Sequence, residues 1–85
     1  MPLFVIERNF AEQLEITNDS AAEVKAINDD VGVSWLFSFL SGDKKKTYCL
    51  YEAPSAEAIV EAARRAGLPA DVITAVSELR PEQFA

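Results

Sequence analysis

Val33-Ser34-Trp35-Leu36-Phe37-Ser38-Phe39-Leu40, then Ser41-Gly42-Asp43-Lys44-Lys45-Lys46, then Thr47-Tyr48-Cys49-Leu50-Tyr51-Glu52-Ala53, is the stretch on which the fold turns. Its outer parts are rich in aromatic and bulky apolar residues, which suit a pleated surface, while its middle is polar and contains a glycine. The stretch predicts a β-hairpin. An even loop pairs Phe39 with Tyr48, Phe37 with Leu50 and Trp35 with Glu52 on one face. The other face then holds Leu40 with Thr47, Ser38 with Cys49 and Leu36 with Tyr51. An odd loop reverses that parity.

Working outward, Leu3 to Arg8 is a short apolar run with β-branched Val5 and Ile6, ending in charge, and predicts a strand buried on both faces. Asn9 to Ile16 has no clean period and reads as an irregular connection. Thr17 is a candidate N-cap, Asp19 suits the first helical turn, and Val24, Ile27 and Val31 follow at helical spacing, so a helix is expected to about Asp30, stopping near Gly32. Asp29 and Asp30 are expected to be solvated.

On the other side of the hairpin, Pro54-Ser55 opens a second helix with Ser55 as cap and Glu57 in its first turn. Arg64 and Arg65 suit its last turn, Gly67 its stop, and Pro69 bars continuation. Ala56, Ala58, Ala62, Ala63 and Ala66 allow this helix to approach a sheet closely. Asp71 to Leu79 alternates Val72, Thr74 and Val76 against Ile73, Ala75 and Ser77 and predicts a fourth strand. Arg80 to Ala85 reads as a frayed tail or a docking arm.

The order is β-α-β-β-α-β, an α+β arrangement of ferredoxin-like type. Right-handed crossovers then give a four-stranded antiparallel sheet in spatial order 4-1-3-2, with both helices on one face. The strands do not alternate cleanly between apolar and polar, as a sheet with one wet face should. Trp35, Phe37, Phe39 and Tyr48 would form an apolar patch if left in water. A homodimer whose open sheet faces pack together or enclose a cavity, in the manner of a dimeric α+β barrel, is therefore expected. The alternative packing turns the aromatic row inward against the helices.

The chain has 85 residues, enough for one domain spanning 1–85, and 49% of them are apolar. Eight basic against fourteen acidic residues give a net charge of −6. That balance disfavours nucleic acid, whose phosphates need a basic face, and anionic membrane surfaces. No apolar run is long enough to span a bilayer, and Met1 to Arg8 has no basic n-region of a signal peptide. A single cysteine, Cys49, suits a reducing, cytoplasmic setting.

The chemistry the sequence permits is narrow. With no histidine there is no Ser-His-Asp or Cys-His arrangement, and no Gly-rich phosphate loop, CxxC or EF-hand pattern occurs. No catalytic residue, metal ligand or cofactor is expected. Among the carboxylates, Glu7 and Glu52 end neighbouring antiparallel strands and so sit at opposite ends, while Glu52 and Glu78 end parallel strands roughly 10 Å apart, a spacing that would flank a small ligand. Glu7 lies within reach of Lys46 as an ion pair. Arg8 alternates with Glu7 and points to the other face; buried in a dimer, it would need a carboxylate such as Glu52 or Glu78 of the other subunit. Lys44 to Lys46 reads as a solvated turn, Cys49 as an inert buried thiol, and Tyr48 and Tyr51 as needing hydroxyl partners if buried.

At Phe4-Val5-Ile6-Glu7-Arg8, Trp35-Leu36-Phe37-Ser38-Phe39, Tyr48-Cys49-Leu50-Tyr51-Glu52-Ala53-Pro54 and Glu61-Ala62-Ala63-Arg64-Arg65-Ala66-Gly67-Leu68-Pro69-Ala70, the chain resembles small bacterial ferredoxin-like proteins of unknown function related to a nickel-responsive, nickel-binding protein. The resemblance runs from Phe4 to about Arg80 and implies the fold and a dimer. The metal-binding members it resembles carry histidine where this chain has Phe37 and Ala62, so it implies no nickel site here. The expected function is a small dimeric binding or stress-associated protein. The alternatives are a cofactor-independent enzyme or binder of a small apolar ligand, and binding of a hard divalent cation by carboxylates alone. In the second case Trp35, Phe37, Phe39, Tyr48 and Leu50 would line the pocket or the dimer face, with Glu7 or Glu52 as its polar element.

Overall fold

Alternation within the first strand places the core. In a computed structural model that describes residues 1–84, β1 (Leu3–Asn9) buries Phe4, Ile6 and Arg8 and leaves Leu3, Val5 and Glu7 only half-buried. The expectation of burial on both faces is thus corrected: two helices cover one face of the sheet, and among the described residues no element covers the other. The first helix, α1 (Asn18–Val31), starts on Thr17, whose hydroxyl accepts from the Ser20 amide while the Ser20 side chain accepts from the Thr17 amide, and it stops on Gly32 at φ 88°. Its Asp30 is exposed but reaches Arg65 of the second helix at 2.6 Å, an inter-helix ion pair where free solvation was expected.

The hairpin comprises β2 (Ser34–Leu40) and β3 (Lys46–Glu52). The second helix, α2 (Ala56–Ala66), is capped by Ser55, buries Ile59, Ala62 and Ala63, and ends on Gly67 at φ 68°; the last strand, β4 (Val72–Val76), comes next. The sheet order is β2-β3-β1-β4, with all neighbouring pairs antiparallel, which is the expected 4-1-3-2 read from the opposite edge. β4 stops three residues before the expected Leu79. Beyond it the chain leaves the β1 edge, Glu78 pairs with Arg80, and Pro81–Phe84 forms a 3-10 turn; Ala85 lies outside the described residues.

The core is one cluster of Phe4, Ile6, Val33, Cys49, Tyr51, Ala53, Ile59 and Ala62. On α2 the small Ala62 and Ala63 are buried beside Ile59, and Ile6 and Ile59 are almost completely buried. The hairpin register is as expected from Leu40 back to Phe37: Leu40 faces Thr47, Phe39 faces Tyr48, Ser38 faces Cys49 and Phe37 faces Leu50. Between Trp35 and Phe37 it slips, because Leu36 is an extra, bulged residue. Trp35 therefore faces Tyr51 and not Glu52, and Leu36 does not face Tyr51. The bulge moves Trp35 out of the aromatic row and onto the helix side of the sheet.

Candidate functional site

Register divides the candidate residues between two faces. On the open face the cross-strand rows run Phe39-Tyr48-Glu7-Val72, Phe37-Leu50-Val5-Thr74 and Glu52-Leu3-Val76. Phe37 is 52% exposed, Phe39 66% and Tyr48 39%, and the two phenylalanine rings meet edge to face with centroids 5.7 Å apart. The row faces away from the helices, which removes the inward alternative. Glu7 sits within it, 3.1 Å from the Lys46 ammonium, and that ammonium also lies 5.0 Å from the Tyr48 ring centroid. The carboxylate accepting from Lys46 is the chief reason the lysine pKa rises above its ordinary value. Glu52 ends the face at the far end of β3, opposite Leu3 and Val76. Glu78 lies beyond β4 and is held by Arg80, so it does not end a strand as expected.

The helix side carries the concave site. Arg8, Thr47 and Leu40 form one cross-strand row, and Cys49 with Ser38 and Tyr51 with Trp35 form the next two. α1 crosses above them through Ser20, Ala21 and Val24, and Leu68 closes one end. The connection from β1 to α1 is irregular because its hydrogen bonds go elsewhere: the Phe10 amide donates to the Lys45 carbonyl and the Leu14 amide to the Lys44 carbonyl. These bonds tie Leu14 to Ile16 over the hairpin end. Together the segments line an open-sided cavity of about 540 Å³, within the range of small-molecule sites.

Its chemistry is that of an apolar pocket with one buried cation. Arg8 is only 4% exposed. Its Nη1 donates to the Pro69 carbonyl at 2.5 Å, its Nη2 to the Tyr51 hydroxyl at 3.5 Å, and its guanidinium lies 5.8 Å from the Tyr51 ring centroid. Among the described residues no carboxylate comes within 4 Å of it. Arg8 is buried inside the protomer, so the expectation of a partner carboxylate across a dimer does not apply. Trp35 also lines the cavity and donates from its indole nitrogen to the Ser38 hydroxyl at 2.8 Å. Cys49 is buried beside Thr47, its thiol 3.6 Å from the hydroxyl.

Of the seven sequence candidates, only Trp35 reaches this cavity; Glu7, Phe37, Phe39, Tyr48, Leu50 and Glu52 belong to the open face. The pocket's polar element is Arg8, and neither Glu7 nor Glu52. The signal that would have found it is the Phe4-Ile6-Arg8 alternation, which puts a charge on the core side of a central strand. Carboxylate-only cation binding finds no support, since among the described residues no three His, Cys, Asp or Glu side chains are grouped to hold a metal. No described helix is long and apolar enough to cross a membrane.

Fold and site thus define a ferredoxin-like α+β domain with an open apolar sheet face on one side and a small arginine-bearing cavity on the other. A family model described as nickel responsive protein SCO4226-like matches residues 4–76, and the chain belongs to that family. The crystal structure of SCO4226 from Streptomyces coelicolor A3(2) is similar to it over 92% of this chain and 99% of that one, with a TM-score of 0.75 and 28% identity. No curated protein matches the sequence.

Proposed function

We propose that the protein is a small, cytoplasmic, homodimeric binding protein rather than an enzyme, one that keeps its family's scaffold and holds nickel through no histidine site. The observation that carries this reading is the open face, on which Phe37, Phe39, Tyr48, Leu50, Leu3, Val5, Val72 and Val76 all sit while Phe37 and Phe39 stay more than half exposed. A surface of that composition is costly to leave in water, and a second copy of the same face is its apolar complement. Metal binding is disfavoured by donor chemistry: nickel prefers imidazole and thiolate ligands, and the chain has no histidine and one cysteine, which is buried.

Phe39→Glu tests the dimer, because it places a charge in the exposed aromatic row without touching the core. Light scattering on a size-exclusion column is expected to give twice the chain mass for the wild type and a single folded chain for the variant. Equal masses for the two would reject the face as the interface. Nickel chloride is expected to leave the thermal midpoint unchanged, and a concentration-dependent rise at micromolar nickel would reject the metal-free reading.

A second reading, a binder of a small apolar ligand, is favoured by the cavity beneath α1. It is compatible with the dimer, since the two features occupy opposite faces of one sheet.

A further inference from the structure

We infer that the cavity between α1 and the sheet is a site for a small apolar monocarboxylic acid, its carboxylate held by Arg8 and its apolar body by Trp35, Leu14, Val24, Leu40 and Leu68. The inference names a ligand class for the binding-protein reading and does not depend on the dimer, because none of these residues lies on the open face.

Removing a guanidinium from water is costly unless an anion or a full set of acceptors replaces the hydration. Arg8 is almost fully buried, yet it has two acceptors in the protein, one of them at the long distance of 3.5 Å, and neither is an anion. A guanidinium has five N–H donors, arranged to engage a carboxylate through two parallel bonds. The donors that Pro69 and Tyr51 leave free belong to a residue that lines the cavity. A carboxylate entering there gains a charge-assisted pair and gives a buried cation an anionic partner, which it has in no carboxylate of the described residues.

The remaining walls select the rest of the ligand. They are chiefly leucine, valine and indole, with the small hydroxyls of Ser20, Ser38 and Thr47, and Thr47 and Cys49 form a buried floor. Such walls favour an aliphatic or aromatic body over a sugar or a nucleotide. One cation within a chain of net charge −6 favours a monoanion over a phosphate or a diphosphate. Glu15 also borders the cavity, but it is exposed, so it keeps its hydration and stands as a like charge near the entrance. That position makes it a tuning residue: removing its charge should strengthen the binding of an anion.

Trp35 is the only tryptophan of the chain and lines the site, so its emission reports occupancy directly. The test titrates the wild-type protein with octanoate and, separately, with octanamide, which has the same body and no charge. Saturable change in Trp35 emission with octanoate is expected, with octanamide weaker by at least about tenfold, the usual advantage of a charge-assisted bond. Glu15→Gln is expected to bind octanoate more tightly, and Arg8→Gln to lose the preference for the carboxylate. Equal affinity for octanoate and octanamide, or no saturable response to octanoate, would overturn the proposal, and neither result requires a variant to fold. Failure of this site is distinguishable from failure of the dimer: Phe39→Glu is expected to bind octanoate like the wild type whatever its mass in solution.

Discussion

The two faces of the sheet are built from the same four strands, and a single alternation of side chains gives them opposite characters. In β1, Ile6 is sealed beneath the helices while its neighbour Val5 is half-buried on the other side, and in β3 Tyr51 is buried while Leu50 and Tyr48 face outward. The helix-covered face is not wholly apolar. It contains a buried arginine, a threonine and a serine around a cavity, whereas the open face is dominated by phenylalanine, leucine and valine. The face that a monomer buries carries the arginine-bearing site, and the face it exposes carries an apolar surface bordered by Glu7 and Glu52. An exposed surface of that kind is hard to explain for an isolated chain. It is accounted for when the open face is an interface and the covered face a binding site.

Truncating neighbours in β1 should separate the two faces most sharply. Ile6→Ala is expected to cost ~2–5 kcal/mol of unfolding free energy at every protein concentration, because it leaves a cavity in a close-packed core. Val5→Ala should cost far less in dilute protein and show a dependence on concentration, since in the proposed dimer the apolar area it removes is covered by the second copy. Denaturant melts at two concentrations check both; a concentration-independent loss of similar size for Val5→Ala would equate the faces and break the comparison.

Caps on α1 test the roof of the covered face. Gly32→Ala forces a β-carbon into the left-handed region at φ 88°, with open space around it, so the expected cost of about 1 kcal/mol is purely conformational. Thr17→Ala removes the hydroxyl that accepts from the Ser20 amide and should cost about 1 kcal/mol. Because Ser20 also borders the cavity, Thr17→Ala should weaken octanoate binding as well, which Trp35 emission would read out.

The smallest effect concerns the hairpin tip. The Asp43 carboxylate accepts from the Ser41 hydroxyl at 2.7 Å and the Lys45 amide at 3.0 Å, which holds its pKa below the ordinary 3.8. A lowered native pKa means that the carboxylate stabilises the turn fully above the unfolded value and loses that contribution as pH falls through the native one. Amide resonances of Ser41 and Lys45 should move together across that acidic window, while Leu50, in mid-strand, should not. Movement of Leu50 in the same window would show that the open face senses the tip.

The topology was legible because each signal was local: Thr17, Ser55, Gly32 and Gly67 mark helix ends, and the Ser41–Lys46 turn joins two runs of strand-forming residues. The outward placement of Phe37, Phe39, Tyr48 and Leu50 came from parity. Trp35 escaped it because nothing in Ser34-Trp35-Leu36-Phe37 marks a bulge, and one extra residue sends every side chain before it to the opposite face. The cavity was not legible either. Its floor comes from three strands and its roof from α1 and a loop whose amides bond to the hairpin tip, so the site exists only once residues far apart in sequence are docked. Arg8 could be assigned to the covered side, but the absence of a carboxylate beside it is a property of packing.

The central claim, that a second copy covers the open face, is tested most directly by sedimentation equilibrium of the unaltered protein through a dilution series in the micromolar range. The account predicts a species of twice the 9.3 kDa chain mass that dissociates on dilution into folded monomers. A single 9.3 kDa species at every concentration would contradict it.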